Sequence, residues 1–221
     1  MRLLVALTGL AVGAGRLAAQ TPDAIIDRAV AAWAKVTTVR GTFEQTVTNA
    51  LTGTSASSKG TYAQERPNRL AIRFDQPGQD AIVADGKFVW IYLPASAPGQ
   101  VIKRAGADRS SVPIDVTGQF LDQPRKKYDI AAAGTKTVNG HPAHGLTLTP
   151  KAGTSGPFTK ATVWVDDDDS LIREFEAVDT NGVTRHVRLA TIETNVSVDR
   201  SVFTFTPPKG IRIVDQTSPP S

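Results

Sequence analysis

Cysteine is absent from this 221-residue chain, which excludes a disulfide framework and any thiol chemistry. Nucleotide and hydrolase signatures are missing too. There is no G-x-S-x-G elbow, no P-loop and no dinucleotide fingerprint, so an enzymatic reading has nothing to stand on. Charge of one sign is not concentrated: 25 Lys and Arg against 21 Asp and Glu leave a scattered +4, too mild for a nucleic-acid partner. Histidine is scarce, with only three. His141 and His144 fall in N-G-H-P-A-H-G, read as a turn between strands, and His186 stands alone on a later strand. Zinc needs three or four ligands with supporting partners, so no metal or other cofactor is expected. The acidic run Asp166–Asp169 lacks the spaced ligands and closing Glu of a calcium loop and reads as a solvated hairpin turn. Glu174 and Glu176 share a strand face and are expected to be exposed.

No apolar run is long enough for a permanent membrane span. The longest, Leu3–Ala14, follows Arg2 and leads to small residues around Ala18 and Ala19, with Arg16 intervening. That is the pattern of a secretory signal peptide over 1–19, which implies an exported product. With no cysteine beside it to be lipidated, the product is expected to be soluble. The 40% apolar content supports one core, so residues 20–216 read as a single domain and 217–221 as a disordered tail. Fourteen prolines and eighteen glycines without a period point to many turns, as in a β-rich protein.

Thr21-Pro22-Asp23 is a helix start. Ile25, Ile26, Ala29, Val30 and Trp33 follow at helical spacing to about Val36, with one apolar face to pack on a sheet. Strands are then expected over 41–48, 60–64, 69–74, 80–84, 87–93 and 100–103. After an irregular stretch, 105–123, with one or two short helices, strands resume over 127–132, 144–149, 158–166, 171–179, 183–194, 203–206 and 211–214. Residues 49–59 read as a polar loop. Asp85-Gly86 is expected to close a tight type I′ hairpin, and Asn181-Gly182 to form a hairpin turn between two of the longest strands. About a dozen strands with short connections make an antiparallel barrel or strongly curved sheet.

The most informative stretch is Gly60–Pro94. Leu70, Ile72 and Phe74 alternate with Arg69, Ala71 and Arg73, as in a half-buried strand. In 88–93 both faces are apolar, with Phe88, Trp90 and Tyr92 on one side and Val89, Ile91 and Leu93 on the other. Such a strand must be covered twice, once by core and once by helices or a greasy ligand. Alternation does not say which set faces inward, and periodicity alone favours an ordinary filled core.

The chain also resembles the periplasmic outer-membrane lipoprotein carrier family (LolA). The matching pieces occur in order: F-x-Q (Phe43, Gln45), R-P-N (Arg66, Pro67, Asn68), Q-P (Gln76, Pro77), V-x-D-G-K (Val83, Asp85, Gly86, Lys87), W-x-Y-x-P (Trp90, Tyr92, Pro94) and F-T-F-T-P-P-K-G (203–210). The resemblance implies a mainly β, α+β fold: an unclosed, strongly curved antiparallel barrel under a short α-helical lid. It implies a hydrophobic cavity for acyl chains, with Leu70, Ile72, Phe74, Phe88, Trp90, Tyr92, Trp164 and Phe175 as candidate lining. Arg66 is the candidate lid-closing residue, its guanidinium suited to carbonyls left unpaired at the C-terminal end of a lid helix. The implied partners are acylated lipoproteins as cargo, an inner-membrane ABC exporter as donor and an anchored outer-membrane receptor as acceptor, met by a monomeric periplasmic carrier. The alternative is a related barrel module that carries free lipid or senses envelope stress. Segment 95–125 matches the family poorly, and Ile72 stands where some relatives have an aromatic residue. Arg69 and Arg73 give their strand a basic outward face, read as ordinary solvated charge.

Overall fold

The computed structural model describes residues 20–76, 79–106, 116–154 and 156–217. The leader assigned to 1–19, the last four residues, Pro77 of the Q-P turn and 107–115 of the irregular segment lie outside the described residues.

One helix precedes the strands. In α1 (Pro22–Ala34) the Thr21 hydroxyl accepts from the Ala24 backbone N–H at 3.2 Å, Pro22 opens the first turn, and Ile25, Ile26, Ala29 and Trp33 are buried. Twelve strands follow: β1 (Thr38–Asn49), β2 (Thr54–Glu65), β3 (Arg69–Gln76), β4 (Ala81–Asp85), β5 (Phe88–Tyr92), β6 (Gln100–Ala105), β7 (Tyr128–Val138), β8 (His141–Pro150), β9 (Lys160–Asp166), β10 (Ile172–Val178), β11 (Val183–Thr194) and β12 (Arg212–Gln216). They form a single sheet in the order β12-β6-β5-β4-β3-β2-β1-β11-β10-β9-β8-β7. Two antiparallel meanders, β1–β6 and β7–β11, are joined where β1 pairs with β11. The ends, β12 and β7, do not pair with each other, so the barrel is unclosed. Among the described residues only β12 runs parallel to its neighbour, β6.

Several expectations need correction. Residues 54–59 are strand, not loop: β1 and β2 extend together beyond the core, paired by hydroxyls such as Thr46–Ser57 and Thr48–Ser55. Neither face there is buried, so no apolar alternation announced the strand. In the β4–β5 turn only Gly86 takes positive φ, at +99°. Asp85 instead accepts from the Lys87 and Phe88 backbone N–H groups at 2.8 and 2.7 Å, an Asx-type closure. Of the irregular segment, residues 118–120 form a single 3₁₀ turn, and a four-residue helix, α2 (Pro124–Lys127), leads into β7.

The largest correction concerns 203–206. This segment is no strand: a 3₁₀ turn, Arg200–Phe203, and the extended chain after it lie across the outer face of β2–β5. Phe203, 2% exposed, packs on Ala63, Ala71, Ala81 and Val83. Phe205 stacks near Trp90 and Tyr92, with ring centroids 5.9 and 5.8 Å apart. Arg73 donates to the Val202 and Thr204 carbonyls at 3.3 and 3.0 Å, and Arg69 pairs with Glu65. The doubly apolar β5 is therefore covered outside by the chain's own C-terminal segment, and neither arginine is a free surface charge. Small residues on β2 and β3 make the groove into which Phe203 fits. Phe203→Ala should lower the unfolding free energy by about 3–5 kcal/mol, seen as a lower urea midpoint with an unchanged slope. A midpoint equal to wild type would show that the segment is not part of the cooperative fold.

Candidate functional site

The inner face of the curved sheet is apolar but incompletely filled. Toward β7–β9 the side chains Leu146, Leu148, Val163 and Val165 meet Ile25, Ile26 and Trp33 of α1 in one continuous core. Toward the opposite ends of β1 and β11 a cavity of about 350 Å³ remains, partly open to solvent, within the size range of small-molecule sites. Its walls are Phe43 on β1, Tyr62 on β2, Ile72 and Phe74 on β3, Ile82 on β4, Phe175 and Ala177 on β10, and Val183, Val187 and Leu189 on β11. Val116, Gln119 and Phe120 before and within the 3₁₀ turn, with Pro157 and Phe158, form its roof. Phe120 lies 5.0 Å from Phe175 and 5.5 Å from Phe158 between ring centroids, and Phe43 meets Phe74 edge-on at 5.3 Å. Gln45, Asp179 and Arg185 also line the cavity.

Of the candidate lining residues, Ile72, Phe74 and Phe175 face this space. Leu70 shares their face but is wholly buried beside it, against Ala84 and Val89. Phe88, Trp90, Tyr92 and Trp164 do not line the cavity. The inward members of β5 are Val89 and Ile91, so the three aromatics point outward, toward Phe205 and Lys103. Trp164 lies on the outer face across Gly145, where an added Cβ would sit 2.7 Å from the indole, with Lys136 4.1 Å from the ring centroid. Val187 and Leu189 are not among the expected lining residues, although β11 alternates Val183, Arg185, Val187 and Leu189 along one face. Phe120 carries no readable period because it sits in an irregular segment; Phe158 was expected to open the strand 158–166, but β9 begins at Lys160 and Phe158 lies in the irregular chain before it.

Arg66 is fastened to α1. Its Nη1 donates to the Trp33 and Val36 carbonyls at 2.9 and 3.0 Å, and its guanidinium stands 5.7 Å from the Trp33 ring centroid. Both carbonyls lie at the C-terminal end of α1 and just beyond it, and Arg66 shares the Trp33 oxygen with the Val36 backbone N–H, 3.0 Å away. A second tether was not foreseen. Arg28, in the middle of α1, reaches Asp167 just after β9 at 2.7 Å, and the same oxygen lies 2.6 Å from His144 Nδ1. Arg125 adds an exposed contact to Asp27.

The other titratable groups pair among themselves. His141 and His144 lie on β8, not in a turn, and His141 Nδ1 is 3.1 Å from the fully buried Asp166. Asp166 is therefore no solvated turn residue; it also engages Arg173 and accepts from the Asp168 backbone N–H at 2.7 Å. His141, Asp166 and Asp168 bring ligating atoms within 4.8 Å of one another, but Arg173 already supplies the positive charge that Asp166 needs. Glu174 was expected to be exposed and is buried, held by Lys136 and His186, while Glu176 is exposed. Burial alone would raise the Glu174 and Asp166 carboxyls; their cationic and hydrogen-bonding partners outweigh it and lower both.

An unclosed antiparallel barrel with an apolar, roofed cavity is the architecture of a protein that binds hydrophobic ligands. Comparison with known proteins specifies it. Residues 34–206 match the model of the family described as outer membrane lipoprotein carrier protein LolA. Outer-membrane lipoprotein carrier proteins from Klebsiella pneumoniae (strain 342) and Dechloromonas aromatica (strain RCB) are 31% and 30% identical, covering 82% and 81% of this chain and 83% and 82% of theirs. Among solved structures, an uncharacterized conserved protein from Thermus thermophilus shares the fold at a TM-score of 0.56 and 14% identity, over 89% of this chain and 100% of that one. MucB does so at 0.50 and 15%, over 87% and 65%. The chain belongs to the LolA family. No helix among the described residues is long and apolar enough to cross a membrane.

The Asp167 tether has a pH signature. Burial alone would raise this carboxyl, but hydrogen bonds and charge from Arg28 and His144 hold it below its ordinary value. The folded pKa therefore lies below the unfolded one, near ~3.9. The stabilisation is complete above the unfolded pKa and disappears as pH falls through the folded one. Asp167→Asn should lower the thermal midpoint by about 2 °C at pH 7, and the gap from wild type should shrink steadily toward pH 3. A gap independent of pH would show that the carboxylate charge does not hold α1.

Proposed function

We propose that this protein is a periplasmic lipoprotein carrier that takes acylated lipoproteins from an inner-membrane ABC exporter, shields their acyl chains in the cavity and delivers them to an outer-membrane receptor. It performs no bond chemistry. The observation that supports the reading most is the apolar cavity walled by both meanders and left unfilled by the chain's own side chains. Family membership and the names of the curated relatives point the same way. Export rests on the leader-like residues 1–19.

The energetics give such a protein its purpose. Moving one methylene from hydrocarbon into water costs about 0.8 kcal/mol, so a long acyl chain costs on the order of 10 kcal/mol. A cavity between the membranes removes most of that barrier. The chain contains no nucleotide motif, so the work of lifting cargo from a bilayer falls to the exporter. In this reading Ile72, Phe74 and Phe175 contact acyl chains, with Phe43, Phe120, Phe158 and Leu189 beside them. Arg66 closes the lid by holding the C-terminal end of α1. Those two hydrogen bonds are broken while cargo displaces the lid, and their recovery favours release.

Mass spectrometry of the protein purified without detergent from its native periplasm should find co-purifying acylated polypeptide. Free phospholipid alone would favour a free-lipid carrier and overturn the cargo assignment. Arg66→Leu should load cargo as wild type does but transfer much less of it to the receptor, since nothing draws the helix back. Undiminished transfer by this variant would remove Arg66 from the mechanism.

A further inference from the structure

The cavity wall is apolar apart from five polar side chains, and four of these are already engaged. The Tyr62 hydroxyl donates to the Thr191 carbonyl at 3.3 Å, and Gln119 donates to the Val116 carbonyl at 2.6 Å. The Asp179 carboxylate accepts from the Asn181 and Val183 backbone N–H groups at 2.8 and 2.9 Å. Gln45 donates to Ser58 at 3.3 Å and accepts from Arg185 Nη1 at 2.6 Å. Arg185 is the one cation among the described wall residues, and it spends only Nη1, on Gln45; its Nε and Nη2 donate to no acceptor among the described residues. Its side chain is exposed at the rim while its inner neighbours on β11 run down the wall to Leu189, 3% exposed. That run is about 13 Å of extended strand. Crowding by the rim lowers the Arg185 pKa from its ordinary value, against the Asp179 charge that raises it; an arginine remains charged throughout.

We propose that Arg185 is a cargo-binding residue at the cavity mouth, its free guanidinium edge donating to the ester carbonyl oxygens where fatty acyl chains join their glyceryl group. The inference rests on the acyl-chain reading of the cavity. A chain lying along Val187 and Leu189 brings its carboxyl end to the level of Arg185, the one cationic donor among the described wall residues, whose charge-assisted hydrogen bonds are stronger than those of the neighbouring amides. Gln45 fixes one arm of the guanidinium and so orients the other edge. Asp179 offsets part of the positive charge, which suits an uncharged carbonyl better than a phosphate. Acyl esters occur both in lipoprotein N-termini and in phospholipids, and both are met by this chemistry.

The test compares ligands with and without the carbonyls. Binding of a diacylglyceryl-cysteine lipopeptide, its dialkyl-ether analogue and phosphatidylglycerol would be measured with the mature wild-type protein, Arg185→Met and Arg185→Gln. Wild type should prefer the ester lipopeptide to the ether by about tenfold, a loss of one charge-assisted hydrogen bond or more. Both variants should bind the ester about tenfold more weakly and leave the ether unchanged, with phosphatidylglycerol weakened to a similar extent. Equal affinity of wild type for ester and ether, or of wild type and variants for the ester, would overturn the assignment; the wild-type comparison needs no variant to fold. A loss confined to phosphatidylglycerol would make the phosphate the ligand and overturn the carbonyl assignment. If wild type binds none of the three, the acyl-chain reading of the cavity fails, a result distinct from failure of Arg185 alone.

Discussion

The pairing of β1 with β11, from Val39↔Thr194 to Asn49↔Val183, is the contact on which the other features depend. Each meander taken separately is a strip with one apolar face and nothing to close it. Joined along this seam, the two strips curl into one trough, and residues far apart in sequence become opposite walls. Phe43 and Phe74 from the first meander line one cavity with Phe175 and Leu189 from the second, Phe43 lying directly beside Leu189 along the seam. A register slip of one residue would turn every side chain of β11 to the other face, replacing Val187 and Leu189 by Arg188 and His186. The irregularity at Thr42/Phe43 preserves the inward set, since one unpaired residue on β11 lets both halves of the seam keep their apolar side chains inside.

The two faces of the β2–β5 half are treated oppositely. Outside, small residues leave a groove and the chain returns to fill it with Phe203 and Phe205. Inside, large apolar residues stand on the strands, yet space remains. An apolar void within a protein forfeits dispersion contacts and is normally small. The contrast between a plugged outer groove and an unplugged inner trough is what makes the interior read as a place kept for a ligand.

Much of this was legible in the residues, and the misses have physical causes. The amphipathic helix, the Leu70-Ile72-Phe74 alternation and the long β11 carry strong periods, and they appear where the pattern places them. A period of two distinguishes faces without naming which is inner. In β5, apolar on both sides, the large aromatics drew the inward assignment, whereas the smaller Val89 and Ile91 hold it. The outward covering was hidden because Phe203–Thr206 has strand-like composition but lies against other side chains instead of a strand edge. Residues 54–59 hid for the converse reason: backbone pairing alone holds them. Arg66 could be picked out because the resemblance pointed to it. Arg28, Asp167 and Arg185 look like ordinary surface charge, and only their partners across 139 and 140 residues distinguish them.

The balance of energies around α1 bears on how a carrier of this build could both hold and release its cargo. Undocking the helix exposes Ile25, Ile26 and Trp33, at roughly 1.5–3 kcal/mol for each large side chain. It also breaks two charge-assisted bonds from Arg66, each worth about 1.5–3 kcal/mol, and the Arg28–Asp167 contact. The sum is on the order of 10 kcal/mol, similar to the burial of one long acyl chain. Although α1 does not itself line the cavity, its core is continuous with Phe120 and Phe158 of the roof, so displacing one loosens the other. A closure much weaker than this would leave the empty trough open and prone to self-association. One much stronger would shut cargo out. In the proposed carrier role, with the two terms close, neither the filled nor the empty state would be a trap, and the direction of transfer would be set by which partner presents the lower-energy site for the acyl chains.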